Sequence, residues 1–111
     1  MLTEFELVNV TKNIIQFYAS LKIVYGYEDS NQIIFDEGHM CFELRVVDGF
    51  FQPELVLLIS IEIKNGLLWV QYDATEEFIP LRLEDMGVPK KQIVLGYLTP
   101  EQRLETEYAH V

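Results

Sequence analysis

Asn65-Gly66 stands between two apolar runs and constrains the fold more than any other pair in the chain. A two-residue type I′ turn needs positive φ at both central positions, and Asn-Gly adopts that geometry most readily. The turn predicts a hairpin and fixes its register. Lys64 faces Leu67, Ile63 faces Leu68, Glu62 faces Trp69, Ile61 faces Val70 and Ile59 faces Tyr72. Leu55, Leu57, Ile59, Ile61 and Ile63 then share one face with Leu68 and Val70. A slip of one residue would turn one of those rows to the opposite face.

The flanking segments complete an α+β chain. Thr3 and Glu6 have the spacing of a capping box. Leu7, Val10, Ile14, Phe17, Leu21 and Val24 follow at steps of three and four, which predicts a long amphipathic helix over residues 4 to 25, closed by Gly26. Asp29, Ser30 and Asn31 form a turn before a short strand, Gln32 to Asp36. Met40, Phe42, Leu44 and Val46 alternate with Cys41, Glu43, Arg45 and Val47, which is strand periodicity. After the hairpin, Asp73 or Thr75 caps a second helix, with Glu76 and Glu77 in its first turn, Ile79, Leu83 and Met86 facing inward, and Gly87 at its end. Pro80 fits that helix only with a kink or a later start. Ile93 to Leu95 reads as a brief strand. Thr99-Pro100-Glu101-Gln102 opens a short terminal helix over 100 to 107. Helices flanking a run of hairpins predict one α+β domain, residues 1–111, with an antiparallel sheet.

Charge narrows the function classes. Eighteen acids against eight bases leave a formal net charge of -10 and a pI of about 4.4. A phosphate backbone is gripped by clustered Lys and Arg, and Lys90-Lys91 is the one adjacent basic pair. Direct nucleic-acid binding is therefore disfavoured, and a basic protein partner is favoured. Cys41 is single, so no internal disulfide forms. Glu4 and Glu6 stand where a secretory signal needs basic and then apolar residues, and Leu55 to Ile59 is too short to span a bilayer. The expectation is a cytoplasmic protein that meets no membrane.

Few residues carry recognisable chemistry. Glu62-Ile63-Lys64 has the Glu-x-Lys form of metal-dependent nucleases, with Glu54 upstream. The hairpin puts both acids on one strand, roughly 26 Å apart at ~3.3 Å per residue, too far to share a metal. Asp73, Thr75, Glu76 and Glu77 cluster at a strand end, where capping accounts for them. His39, His110 and Cys41 make a poor metal set. Ser60 lies in mid-strand without the sharp turn of a nucleophile elbow. The residues predict no catalytic site, no metal and no cofactor. Phe50 and Phe51 fall in a loop before Pro53, either tucked under the sheet or standing out as a contact patch.

The stretch from Leu67 to Glu77, with Trp69, Gln71, Asp73, Thr75 and Glu76, is followed at a fixed distance by Gly87, Val88, Pro89, Lys90, Ile93, Val94, Leu95 and Gly96. These two blocks resemble the XisI-like family, the fdxN element excision controlling factors of cyanobacteria. Arg103, Thr106, Tyr108 and Ala109 continue the likeness. Leu98 stands where relatives often have His, and Pro80 where they usually have Ala, so no His-dependent chemistry carries over. The resemblance implies an accessory role in the programmed DNA rearrangement of heterocysts, beside a separate recombinase. It also implies pairing with a XisH-like protein of nuclease-like fold.

Together these readings predict a non-enzymatic regulatory factor that binds a XisH-like partner. Direct DNA binding is the alternative, and a metal-dependent enzyme using Asp73 and Glu76 a weaker one. Self-association is expected from the apolar content and the Phe50-Phe51 loop. The candidate partner-binding residues are Glu62, Trp69, Gln71 and Asp73 on the polar side of the hairpin, with Phe50 and Phe51 in their loop.

Overall fold

A computed structural model describes residues 1–21, 31–49 and 51–111. The first helix, α1, spans Glu4–Ser20. Thr3 Oγ1 accepts the Glu6 N–H at 3.2 Å, and the Glu6 carboxylate accepts the Thr3 N–H at 3.0 Å, so the predicted capping box forms. The helix ends earlier than predicted, because Leu21 adopts an extended conformation (φ -74°, ψ 141°). The expected cap at Gly26, the position of Val24 and the turn at Asp29 and Ser30 lie outside the described residues.

The buried stripe of α1 is also rotated from the expected one. Leu7, Val8, Thr11, Ile14, Ile15 and Tyr18 face the core, while Val10 and Phe17 sit at its margin and Leu21 is exposed. Thr11 can occupy the buried centre because its hydroxyl donates to the Leu7 carbonyl at 2.8 Å.

The sheet runs in chain order: β1 (Gln32–Asp36), β2 (Cys41–Asp48), β3 (Glu54–Lys64), β4 (Leu67–Asp73) and β5 (Ile93–Leu95). The first four strands form an antiparallel meander. Asn65 (φ 56°) and Gly66 (φ 73°) make the predicted turn, and the register holds from Lys64↔Leu67 to Ile61↔Val70. Beyond that it shifts by one residue. Gln71 is the extra residue on β4, so Ser60 rather than Ile59 faces Tyr72, and Ile59 faces Asp73.

A second bulge changes which residues of β3 enter the core. Leu44 pairs with Ile59 but Arg45 pairs with Leu57, leaving Leu58 as the extra residue. Past that point Leu58 is buried and Val56 half-buried, whereas Leu55, predicted to lie on the core face, is 44% exposed. An inserted residue inverts a period-two pattern.

α2 (Ile79–Asp85) starts late, with Pro80 in its first turn, where a missing N–H is harmless. Thr75, Glu76 and Glu77 therefore precede the helix and do not form its first turn. At its exit Gly87 (φ 100°) donates to Glu84 O at 2.9 Å and Val88 to Leu83 O at 3.0 Å. This is a Schellman closure, with Leu83 and Val88 both buried across it. Met86, expected inside, is at the C-cap and 38% exposed.

A short 3₁₀ turn (Lys90–Gln92) leads into β5, which runs parallel to β4. The sheet is thus mostly antiparallel, with one parallel edge strand reached through α2. The last helix, α3, covers only Pro100–Arg103 of the expected 100–107. Thr106 follows it with both its N–H and its hydroxyl bonded to Arg103 O, and Ala109 then donates to Ile93 O at 2.9 Å beside β5. The core lies between the helices and one face of the sheet. Phe42, Leu44, Ile59, Ile61, Leu68 and Ile93 from the strands meet Leu7, Ile14, Ile15, Ile79 and Leu83 from α1 and α2.

Candidate functional site

The outer face of the hairpin gathers three of the predicted residues. Glu62 and Trp69 are directly opposed, and Gln71 Nε2 donates to Glu62 Oε2 at 3.2 Å. Gln71 is also the extra residue of the β4 bulge. Two cations flank the indole of Trp69. Lys64 Nζ stands 4.2 Å from the ring centroid and Arg103 Cζ 5.2 Å from it. Arg103 is largely buried. Its Nε donates to Leu95 O at 3.0 Å, and its Nη1 donates to Val111 O. The indole Nε1–H is buried with no partner among the described residues.

Gln71 also explains a glycine. Its Oε1 occupies the space beside Gly96 that a side chain would need, since a Cβ there would stand 2.3 Å from it. The Gly96 N–H meanwhile donates to Val70 O at 2.8 Å, which locks the two family blocks to each other.

Asp73 is not on this surface. It pairs with Ile59 on the helix side of the sheet, and its carboxylate is fully engaged. Oδ1 accepts from Thr75 N at 3.0 Å and from Thr75 Oγ1 at 2.6 Å, while Oδ2 accepts from Ile79 N at 3.0 Å. Asp73 therefore caps α2 from six residues upstream.

Phe51 lies in the loop at the opposite end of β3, 91% exposed, and Phe50 lies outside the described residues. The six predicted residues thus fall into separate places. Glu62, Trp69 and Gln71 form one cluster, Asp73 belongs to the cap, and Phe51 stands roughly 25 Å or more from the cluster along β3.

Gln92, Tyr18 and Arg82 make contacts that no local sequence signal announces. Gln92 is buried. Its Oε1 accepts from Leu2 N at 2.8 Å, and its Nε2 donates to Leu2 O at 2.8 Å and Gly66 O at 3.1 Å. One side chain thereby ties the segment before α1 to the hairpin turn. Glu77 accepts from Tyr18 OH at 3.2 Å and from Arg82 Nε, and the guanidinium lies 4.5 Å from the Phe17 ring centroid. Arg82 holds the Glu77 carboxyl below its ordinary range, and burial raises the Tyr18 phenol. Burial also pushes the Cys41 thiol up, helped by the neighbouring charge of Glu62. No motif spacing announces these long-range partners.

The basic pair Lys90-Lys91 is partly committed within the chain. Lys90 Nζ lies 2.6 Å from Glu107 and 3.8 Å from Glu84. Lys12, Arg45 and Arg82 are likewise paired with Glu37, Glu43 and Glu77. Among the described residues no group of three His, Cys, Asp or Glu side chains is placed to hold a metal ion. None of the described helices is long and apolar enough to cross a membrane.

Known proteins give a consistent picture. The chain is similar to a XisI-like protein from Anabaena variabilis ATCC 29413, with 26% identity, a TM-score of 0.80, and coverage of 96% of this chain and 98% of that one. It shares the fold of the fdxN element excision controlling factor XisI from the same organism at 23% identity and a TM-score of 0.75, covering 96% and 97%. No curated protein matches it. The family model described as XisI protein matches residues 3–110, and on that match the chain belongs to the XisI family.

Proposed function

We propose that this chain is a non-enzymatic accessory factor in programmed DNA rearrangement, acting in the cytoplasm by binding a XisH-like partner of nuclease-like fold. Family membership carries the reading. A solved structure of the same fold is named as an excision controlling factor. The net charge of -10 favours a basic protein surface over a phosphate backbone. Four cations already paired within the chain leave fewer for DNA. Two of the carboxylates weighed for catalysis have structural partners: Gln71 holds Glu62, and Asp73 caps α2. Co-expression of the tagged chain with the XisH-like protein of the same genome, followed by affinity capture, tests the reading. A complex is expected, and its absence removes the proposal.

A further inference from the structure

The end of the molecule opposite the Asn65-Gly66 turn differs from the rest of the surface. A groove of about 730 Å³ opens there between the C-terminal end of α1 and the strand ends of β2 and β3. Leu21, Val56, Leu57 and Tyr72 contribute its apolar lining, and Leu21 and Tyr72 are 37% and 44% exposed.

The rim is acidic. Asp48 and Glu76 line the groove, and Glu54 stands directly opposite Asp48 where the two strands meet at the open end. Like charges opposed across a strand pair weaken the pairing. Glu77 also lines the groove and is paired with Arg82, and elsewhere Glu37, Glu43, Glu84 and Glu107 have a lysine or arginine within ion-pair distance. Asp48, Glu54 and Glu76 have none among the described residues. Among the described residues, no Lys or Arg lines the groove.

We propose that this groove is the docking site for a protein segment carrying basic side chains beside apolar ones. The apolar lining takes the hydrophobic side chains, and Asp48, Glu54 and Glu76 meet the cations, so that the opposed Asp48–Glu54 pair is neutralised on binding. Charge complementarity selects this occupant. A second copy of a chain with net charge -10 would bring more acid to an acidic rim, and a phosphate or nucleic acid would be repelled by it. The inference rests on the partner-binding reading and adds where and by what chemistry the partner is held.

The test measures the affinity of the full chain for the co-expressed XisH-like protein at low and high salt. The triple variant D48N/E54Q/E76Q is nearly isosteric and changes only exposed or rim carboxylates. It should weaken binding about tenfold or more at low salt and flatten the salt dependence. The control E4Q/E101Q/E105Q makes the same charge change at exposed sites outside the groove and should stay within about threefold of the parent chain. Y72S should weaken binding without altering the salt slope. If the groove triple binds like the parent, or the control weakens it equally, the groove assignment is overturned while the partner reading stands. If no complex forms with the parent chain, both fall.

Discussion

Gln71 and Gly96 are fitted to each other: the glutamine Oε1 lies 2.3 Å from where a Cβ on residue 96 would be. The glutamine is the extra residue of a bulge in β4 and is held by Glu62. A side chain at residue 96 would therefore have to displace the end of Gln71, and the backbone φ of Gly96 plays no part in that conflict. G96A should displace Gln71 from Glu62 and cost about 1–2 kcal/mol, the range for inserting one methyl group into a packed site. In a Q71A background the same substitution should cost much less, though the Val70 carbonyl 3.2 Å away keeps some penalty. Urea unfolding of the four proteins of this cycle measures the coupling. Equal costs in both backgrounds would contradict the packing account.

Gln92 should be among the most sensitive polar positions. Q92L removes three hydrogen bonds and leaves the Leu2 N–H, Leu2 C=O and Gly66 C=O to find other partners. A loss of about 2–3 kcal/mol is expected, since stranded polar groups lose more than the net value of a hydrogen bond. The urea midpoint should fall with an unchanged m-value. A loss below about 0.5 kcal/mol would show that Gln92 does not clamp these segments.

Acid should loosen the contact between α1 and α2. Arg82 holds the Glu77 pKa below its ordinary value of 4.5, so folding keeps the carboxylate charged more strongly than the unfolded chain does. The sign follows from linkage. The contribution is fully present above the unfolded value and is lost as pH falls below 4.5 through the lowered folded value. E77Q should be less stable than the parent at neutral pH, and the difference should shrink as pH is lowered through this range. Thermal melts at stepped pH read the effect. A gap that widens towards acid would reverse the assignment.

Much of the architecture can be read from local chemistry. Asn65-Gly66 specifies its turn, the Thr3–Glu6 and Thr99–Gln102 boxes start their helices, and Gly87 closes α2. These signals lie within a few residues of what they determine. The bulges at Leu58 and Gln71 have no such signal, because each depends on packing across neighbouring strands; they turn Leu55 and Val56 about and shift the cross-strand partners of Ile59 and Tyr72. The stripe of α1 was misplaced for a similar reason: Thr11 is polar by type but satisfied by its own helix.

The site was legible only in part. Glu62, Trp69 and Gln71 do converge, because the hairpin register predicts it. Their polar groups mostly face one another, with Arg103 closing over the indole from a helix that no spacing rule links to the hairpin. Asp73 lies near them in sequence but turns to the opposite face, where α2 needs its cap. Leu98 packs against the core and offers no group for proton transfer. The acidic groove draws on α1, β2, β3, β4 and the segment after it, so only the folded chain brings its lining together.

Calorimetric titration of this chain into the XisH-like protein of the same genome, repeated at increasing salt, tests the central claim most directly. The account predicts a specific complex whose affinity falls as salt screens the acidic surface, with no retardation of duplex DNA by this chain alone. Absence of that complex, together with tight and strongly salt-dependent DNA binding by the chain itself, would contradict it.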